Sequence, residues 1–118
     1  YSEFHVGAAV LVENGDIVTG NNQENMAYPS GLCAERVAIF SASALHPKQK
    51  FKAIAITAFS KLVATNKPLS PCGACRQAII EYEIRDEQPI RCILRGSSGP
   101  IFVFHSMADL LPLQGKFL

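Results

Sequence analysis

Two short stretches decide how this chain must fold: SPCGACRQ at residues 70–77 and LCAER at residues 32–36. Cys72 and Cys75 are separated by two residues, a spacing that lets both sulfurs bind one metal ion, and Cys33 offers a third thiol. Zinc favours such thiolate ligands and holds them at the corners of a tetrahedron. If the three thiols share one zinc ion, two stretches far apart in the sequence must meet in space.

The number of ligands separates a catalytic zinc from a structural one. A catalytic zinc keeps three protein ligands and leaves its fourth position open, whereas a structural zinc has four protein ligands. The remaining cysteine, Cys92, lies in the apolar run at residues 90–94 and is predicted to be a core residue. The pattern therefore favours catalysis. Two alternatives stay open: a binding module with a structural zinc, and a secreted protein with two disulfides.

Both cysteine stretches lead into helical patterns, which predict helices from about Cys33 to Ala44 and from about Gly73 to Glu83. Thiolates at helix N-termini are stabilised by unpaired N–H groups and the helix dipole. Three thiolates and one zinc ion carry a net negative charge, which we expect the helix N-termini and a cation such as Arg36 to offset. Glu35 follows Cys33 by two residues, an offset that turns its side chain away from the metal. We therefore expect Glu35 to be a general acid/base and not a ligand.

The remaining patterns predict an α/β fold. Asn14-Gly15 is a strong hairpin signal between two apolar runs. Ser106 is placed to cap a short helix that ends before Pro112. The order β-β-α-β-α-β-β-α implies one mixed sheet covered by helices. The predicted strands cover residues 6–12, 17–20, 53–59, 90–94 and 101–104.

Composition excludes several classes of function. The 118 residues are 48% hydrophobic and 18% charged, as expected for one domain over residues 1–118 with an ordinary core. The net charge of +1 and the lack of a basic run argue against a nucleic-acid polymer as partner. The sequence contains no apolar run long enough to span a membrane and no signal peptide pattern. We expect a cytoplasmic protein without a membrane partner.

Cys-Ala-Glu followed by Pro-Cys-x-x-Cys resembles the zinc-dependent nucleoside deaminases, specifically the small homo-oligomeric cytidine deaminases. YSEFHVGAA at residues 1–9 and NQEN at residues 22–25 extend the resemblance over most of the chain. The resemblance implies a three-layer α/β/α sandwich with one mixed five-stranded sheet, one Zn²⁺ per chain, and a homodimer or homotetramer. The family pattern begins earlier, with a helix, so the sequence looks trimmed at its N-terminus.

The resemblance also implies the reaction, which is hydrolytic deamination of cytidine and deoxycytidine to uridine and deoxyuridine in pyrimidine salvage. Glu35 would take a proton from the attacking water and deliver protons to ring N3 and the departing amine. The alternatives within enzymes are deaminases of blasticidin S, guanine or a tRNA adenosine. The low net charge counts against tRNA.

The substrate-binding residues come from the same resemblance. Asn22 and Glu24 would hold the sugar, whose hydroxyls both donate and accept hydrogen bonds. Phe4 would line the pocket, the backbone N–H of Ala34 would bond the pyrimidine O2, and Tyr28 lies where a neighbouring subunit can contribute. Without the zinc motifs, residues 21–25 would be interpreted as a solvated turn and Phe4 as a core residue.

The C-terminus departs from the family pattern. In the family, Leu-Leu-Pro is followed closely by a Phe that stacks on the base in an adjacent subunit. Here residues 110–112 have that sequence, but Phe117 follows later than the family spacing.

Overall fold

Strands and helices follow one another in the predicted order over residues 3–114, the part of the chain that the computed structural model describes. Each predicted end lies within three residues of the observed one. Most elements extend past the apolar runs, because neighbouring strands and helical turns add hydrogen bonds there. The elements are β1 (Phe4–Val12), β2 (Ile17–Asn21), α1 (Ala34–Leu45), β3 (Phe51–Ser60), α2 (Gly73–Asp86), β4 (Arg91–Arg95) and β5 (Ile101–Phe104). Single 3-10 turns form at Tyr28–Ser30 and Met107–Leu110.

The five strands form one mixed sheet in the order β2-β1-β3-β4-β5. Only β3 and β4 run parallel, and α2 makes the crossover between them. Phe4 pairs with Ser60, and Gly7 pairs with Asn21. The start of β1 therefore lies beside the ends of β2 and β3, at one end of the strands. The loops that lead into α1 and α2 both begin there.

The core lies between the two helices and one face of the sheet. Alternate strand residues are buried, as a period of two requires when one face is covered. Their side chains join those of both helices in one cluster, which includes Val10, Ile54, Ile56, Leu94, Ile39, Ile79 and Ile80. Cys92 belongs to the same cluster and is fully buried, as predicted.

The opposite face of the sheet is open within residues 3–114. Ile17, Phe59, Ile101 and Val103 lie on this face, and between 47% and 64% of each is exposed. The α/β class and the mixed five-stranded sheet are confirmed. In the described part of the chain, however, both helices cover the same face, so only one of the two expected helical layers is present there. None of the helices in residues 3–114 has the length and apolar character needed to cross a bilayer.

Two predictions concern the C-terminal part of the chain, the helix cap at Ser106 and the late position of Phe117. The hydroxyl of Ser106 accepts a hydrogen bond from the backbone N–H of Ala108 at 3.0 Å, which confirms the predicted cap. The cap opens a short 3-10 turn of four residues. Phe117 lies outside the described residues, as do the first two residues of the chain.

Gly20 sets how closely α1 approaches the sheet. A Cβ added at Gly20 would lie 2.6 Å from the backbone nitrogen of Ala38, well inside van der Waals contact. Because that neighbour is helix backbone, it can retreat only if the whole of α1 moves. The absence of a side chain at Gly20 therefore lets the helix that follows Cys33 lie directly on β2.

We expect Gly20→Ala to lower the free energy of unfolding by about 1–3 kcal/mol, because overpacking forces α1 off the sheet. Urea denaturation followed by circular dichroism measures the change. Gly7→Ala is the matched control: its new Cβ would meet only a Thr57 methyl group at 3.7 Å. The control should stay within about 0.5 kcal/mol of the unchanged protein. Equal losses in the two variants would contradict this account of Gly20.

Candidate active site

Three thiols converge where the two helices begin. Cys33 is the N-cap residue of α1, Cys72 is the N-cap residue of α2, and Cys75 lies in the first turn of α2. The three sulfurs all lie within 4.8 Å of one another. The Cys33 and Cys72 sulfurs are 3.9 Å apart, and those of Cys72 and Cys75 are 3.4 Å apart. The two sequence stretches therefore meet as predicted.

This geometry fits one zinc ion. Sulfurs held tetrahedrally at about 2.3 Å from one zinc lie about 3.8 Å from each other, close to the separations found here. All four cysteines are free thiols, which contradicts the disulfide alternative. No fourth His, Cys, Asp or Glu joins the group in residues 3–114. The three thiols form a site for one zinc per chain, and the missing fourth ligand in that range favours an open coordination position.

The electrostatics of the thiols are unequal. Burial raises the pKa of Cys72, but hydrogen bonds from the backbone N–H groups of Cys75 and Ala74 and from the neighbouring thiols outweigh it, so the pKa lies below its usual value. Burial raises the pKa of Cys75 far above its usual range, and the charge of Glu35 raises it further. Burial therefore disfavours the charged form of Cys75, and a bound metal ion would offset that cost.

Arg36 supplies the nearby cation. Its Nη2 donates to the Cys33 sulfur at 3.6 Å. The hydrogen bond to Cys33 raises the pKa of Arg36 above its usual value, although burial opposes the shift, and contact with Cys75 adds to the increase. The guanidinium remains charged and offsets part of the excess negative charge on the thiolates, as expected from the sequence.

A cavity of about 570 Å³ opens beside the thiols. Its wall contains most of the predicted site residues: Asn22, Glu24, Tyr28, Cys33, Ala34, Glu35 and Cys72. Cys75 lies behind the wall and is fully buried. Backbone hydrogen bonds of 2.8 and 2.9 Å between Gln23 and Leu32 close the loop after β2. The closed loop brings residues 22–24 next to Cys33.

Glu35 is a buried carboxylate on this wall, with only 5% of the residue exposed. It lies in the first turn of α1, where the helix dipole favours a negative charge. It does not belong to the group of thiol ligands. A buried carboxylate on a cavity wall, near three thiols but outside the group they form, is of a type that can move protons.

Asn22 ties the cavity wall to the sheet. Its Oδ1 accepts from the backbone N–H of Val6 at 3.0 Å, and its Nδ2 donates to the carbonyl of Phe4 at 2.9 Å. Nδ2 also approaches Glu24 Oε1 at 3.3 Å. The amide thus continues the pairing of β1 beyond the end of β2 and holds Glu24 beside it.

The other two predicted substrate contacts lie in different surroundings. Tyr28 is 83% exposed at the cavity mouth. Phe4 lines a separate, smaller cavity of about 230 Å³, which shares Asn22 and Glu24 with the larger one. Within this chain, Phe4 is not brought to the wall beside the thiols.

Several cavity residues were missed from the sequence. Leu69, Ser70 and Pro71 line the cavity directly before Cys72, and Val6 and Ile56 line it from the sheet. The position of Leu69, Ser70 and Pro71 next to Cys72 could have indicated that they line the cavity. Nothing local distinguishes Val6 or Ile56 from any other core residue.

Residues 61–72, which connect β3 to α2, are held against the turn between β4 and β5. The hydroxyls of Thr65 and Ser97 are 2.6 Å apart. A Cβ at Gly96 would overlap the carbonyl oxygen of Thr65, so the loop and the turn are in direct contact. This contact fixes the middle of the loop whose end carries Cys72.

Comparison with known proteins places this site in a family. The model of the "cytidine and deoxycytidylate deaminase zinc-binding region" matches residues 1–88. The chain belongs to the family of cytidine and deoxycytidylate deaminases. The matched residues include the three cysteines of the thiol group and Glu35. The family's region is named for zinc binding, and the spacing of the three thiols fits zinc.

Curated relatives in this family include a cytidine deaminase of Sporosarcina psychrophila, 50% identical over 82 residues, which cover 70% of this chain and 56% of the relative. A cytidine deaminase of Halalkalibacterium halodurans is 38% identical over 112 residues, which cover 95% of this chain and 77% of the relative. The chain thus spans just over half the length of the first relative.

Structural likeness agrees with the sequence relatives. The crystal structure of cytidine deaminase from Burkholderia pseudomallei has a TM-score of 0.80 and 38% identity, covering 96% of this chain and 83% of that chain. A blasticidin-S deaminase of Bacillus cereus is also similar, with 32% identity over 124 residues that cover 96% of this chain and 78% of the relative. The fold of this chain therefore has a counterpart in a solved structure.

The ligand set can be tested by removing thiols one at a time. We expect Cys33→Ala, Cys72→Ala and Cys75→Ala each to lower bound zinc well below one per chain, because two thiols bind zinc much more weakly than three. Zinc measured by mass spectrometry after gel filtration reports the loss. Cys92→Ala is the control, and it should keep one zinc although it leaves a cavity in the core. Full zinc in a Cys72→Ala variant would remove that residue from the ligand set.

Proposed function

We propose that the protein is a zinc-dependent cytidine deaminase that hydrolyses cytidine and deoxycytidine to uridine, deoxyuridine and ammonia. The observation that carries the proposal is the placement of Glu35. It is a buried carboxylate on the wall of a 570 Å³ cavity, beside three thiols that no fourth ligand in residues 3–114 joins. A structural zinc needs neither such a cavity nor such a carboxylate.

The chemistry divides between the metal and the chain. When bound, zinc supplies Lewis acidity that lowers the pKa of a water molecule. Glu35 takes one proton from the attacking water while the water oxygen bonds to C4 of the cytosine ring, and it delivers that proton to ring N3. Glu35 then takes the second proton from the new C4 hydroxyl and gives it to the C4 amine. The C4–N bond breaks, ammonia leaves, and the C4 carbonyl of the uracil ring forms. The N–H of Ala34, at the first position of α1, would donate to the pyrimidine O2.

Asn22 and Glu24 are proposed to hold the sugar. The Glu24 carboxylate lies on the cavity wall, held beside the amide of Asn22, and a carboxylate accepts hydrogen bonds from sugar hydroxyls. Because the Asn22 amide also bonds the β1 backbone, its direction is fixed before any substrate enters. These contacts support a nucleoside over the alternative of guanine, which has no sugar.

Tyr28 and Phe4 are proposed to act in an assembled protein. Met26 and Tyr28 lie two residues apart in the chain, next to the cavity, and are 80% and 83% exposed, so both are accessible to a second subunit. We propose a homodimer or homotetramer, measurable by light scattering, in which Tyr28 contributes to a substrate site and Phe4 lines the sugar end. The thiolate ligands favour a reducing compartment, in line with a cytoplasmic location.

Glu35→Gln tests the mechanism. We expect the variant to bind one zinc per chain, since Glu35 is not a ligand, and to lose at least about 100-fold in kcat for cytidine, because an amide cannot carry the protons. Loss of absorbance on deamination and release of ammonia measure the rate. Normal turnover in the variant, or loss of its zinc, would contradict the assigned role.

The substrate class is tested with the unaltered protein. Cytidine, deoxycytidine, guanine and blasticidin S are supplied at equal concentrations, and ammonia release is followed. We expect the two nucleosides to be the substrates. A zinc-loaded protein that releases ammonia only from blasticidin S or guanine would replace the proposed function, and one that releases none would support the structural-zinc alternative.

The sugar contact is tested by Glu24→Gln. We expect kcat/KM for cytidine to fall about 10- to 100-fold, mainly through KM, since hydrogen bonds to a charged group are worth about 1.5–3 kcal/mol. Glu87→Gln makes the same change on an exposed residue outside the cavity and should have no effect. An unchanged KM in Glu24→Gln would remove Glu24 from the sugar site.

A further inference from the structure

Arg76, the residue after the last zinc ligand, connects three parts of the chain. Its Nε donates to the carbonyl of Pro71 at 2.9 Å, and its Nη1 donates to the carbonyl of Leu110 at 2.7 Å. Its Nη2 donates to the hydroxyl of Ser70. The guanidinium is half-buried between the end of the β3–α2 loop and the 3-10 turn Met107–Leu110.

Two of these three acceptors directly precede a zinc ligand. Ser70 and Pro71 come immediately before Cys72, and all three residues line the cavity. Cys72 is the N-cap of α2 with an extended backbone and an exposed thiol, so packing around the sulfur does little to hold it. The residues that fix where its chain enters the helix therefore determine where the sulfur lies.

The shape of the guanidinium explains why an arginine suits this place. Arginine carries five N–H donors in one rigid plane, whereas lysine carries one flexible ammonium group. Three acceptors from two separate segments each bond a different nitrogen of Arg76. Because the guanidinium is rigid, the three hydrogen bonds fix the two segments relative to each other. The group thus locks the loop to the helix that holds Cys75 and to the turn at residue 110.

We propose that Arg76 is a positioning residue for the zinc site, which holds Cys72 at its ligand position by fixing Ser70 and Pro71. Its three side-chain hydrogen bonds go to the loop and to the turn at residue 110, so it acts through the loop. The inference depends on the three-thiol zinc site and not on which nucleoside is deaminated. Zinc retention, measured without substrate, therefore tests it separately from the proposed function.

Two neighbours on α2 provide matched controls. Gln77 donates to the carbonyl of Gln114 at 3.1 Å and to Glu81, so it holds the later part of the chain but not the β3–α2 loop. Glu83 is 7% exposed and accepts hydrogen bonds from Ile90 N at 2.8 Å and Ser106 Oγ at 2.6 Å. Substituting Glu83 should destabilise the fold at the far end of α2 without touching the residues before Cys72.

The experiment compares zinc release from the zinc-loaded protein and its variants Arg76→Gln, Arg76→Lys, Gln77→Ala and Glu83→Gln. Transfer of zinc to a chromophoric chelator is followed well below the unfolding temperature, and thermal unfolding is recorded in parallel. We expect Arg76→Gln to release zinc at least about tenfold faster, as for other residues that orient metal ligands. Arg76→Lys should be nearly as fast, because the charge alone cannot hold three acceptors. The two control variants should stay within about twofold of the unaltered rate.

Each other outcome overturns the proposal. An unchanged release rate in Arg76→Gln means that the loop holds Cys72 without the guanidinium. Equal acceleration in Glu83→Gln means that zinc is lost through general destabilisation, and a normal rate in Arg76→Lys means that charge is what matters. If Arg76→Gln does not fold, Ser70→Ala removes one contact alone and should accelerate release about threefold. No acceleration in Ser70→Ala then counts against the proposal.

Discussion

Three thiolates around one cation impose the constraint on which the rest of this structure depends. Their negative charges repel one another, and burial disfavours the charge on Cys75. The metal, the N-terminus of each helix and the Arg36 guanidinium all act against that excess charge. The two helices must therefore begin at the same point, and the fold can be understood as the arrangement that allows this.

The sheet provides that common point. Because β1 runs antiparallel to both β2 and β3, the start of β1 lies beside the ends of β2 and β3. The loop after β2 leads to Cys33 and the loop after β3 leads to Cys72. Both loops therefore begin at the same end of the strands. The parallel pairing of β3 with β4 requires a crossover, and α2 is the helix of that crossover. The same helix supplies Cys75 and lies over the core.

Long loops next to a metal need anchors, and the β3–α2 loop has one at its middle and one at its end. The contact of Thr65 with Gly96 and Ser97 joins it to the turn between β4 and β5. Arg76 joins its last residues to α2 and to the turn at residue 110. On the other side of the cavity, Asn22 serves the loop after β2 in the same way, by bonding the backbone of β1. The cavity thus lies between two loops that are each tied to regular structure, so both of its walls are held in place.

The sequence by itself determined the features that depend on residues close together in the chain. The Cys-x-x-Cys spacing, the Glu two residues after Cys33, the alternation of buried strand residues and the buried Cys92 each follow from neighbours a few positions away. The tertiary structure alone decided which distant groups meet. It placed the Asn22 amide against the β1 backbone, set Phe4 on a neighbouring cavity, put both helices on one face of the sheet and brought Arg76 to Leu110. The reason is physical: such contacts form between residues far apart in the chain and depend on strand register and helix packing, which no local run of residues specifies.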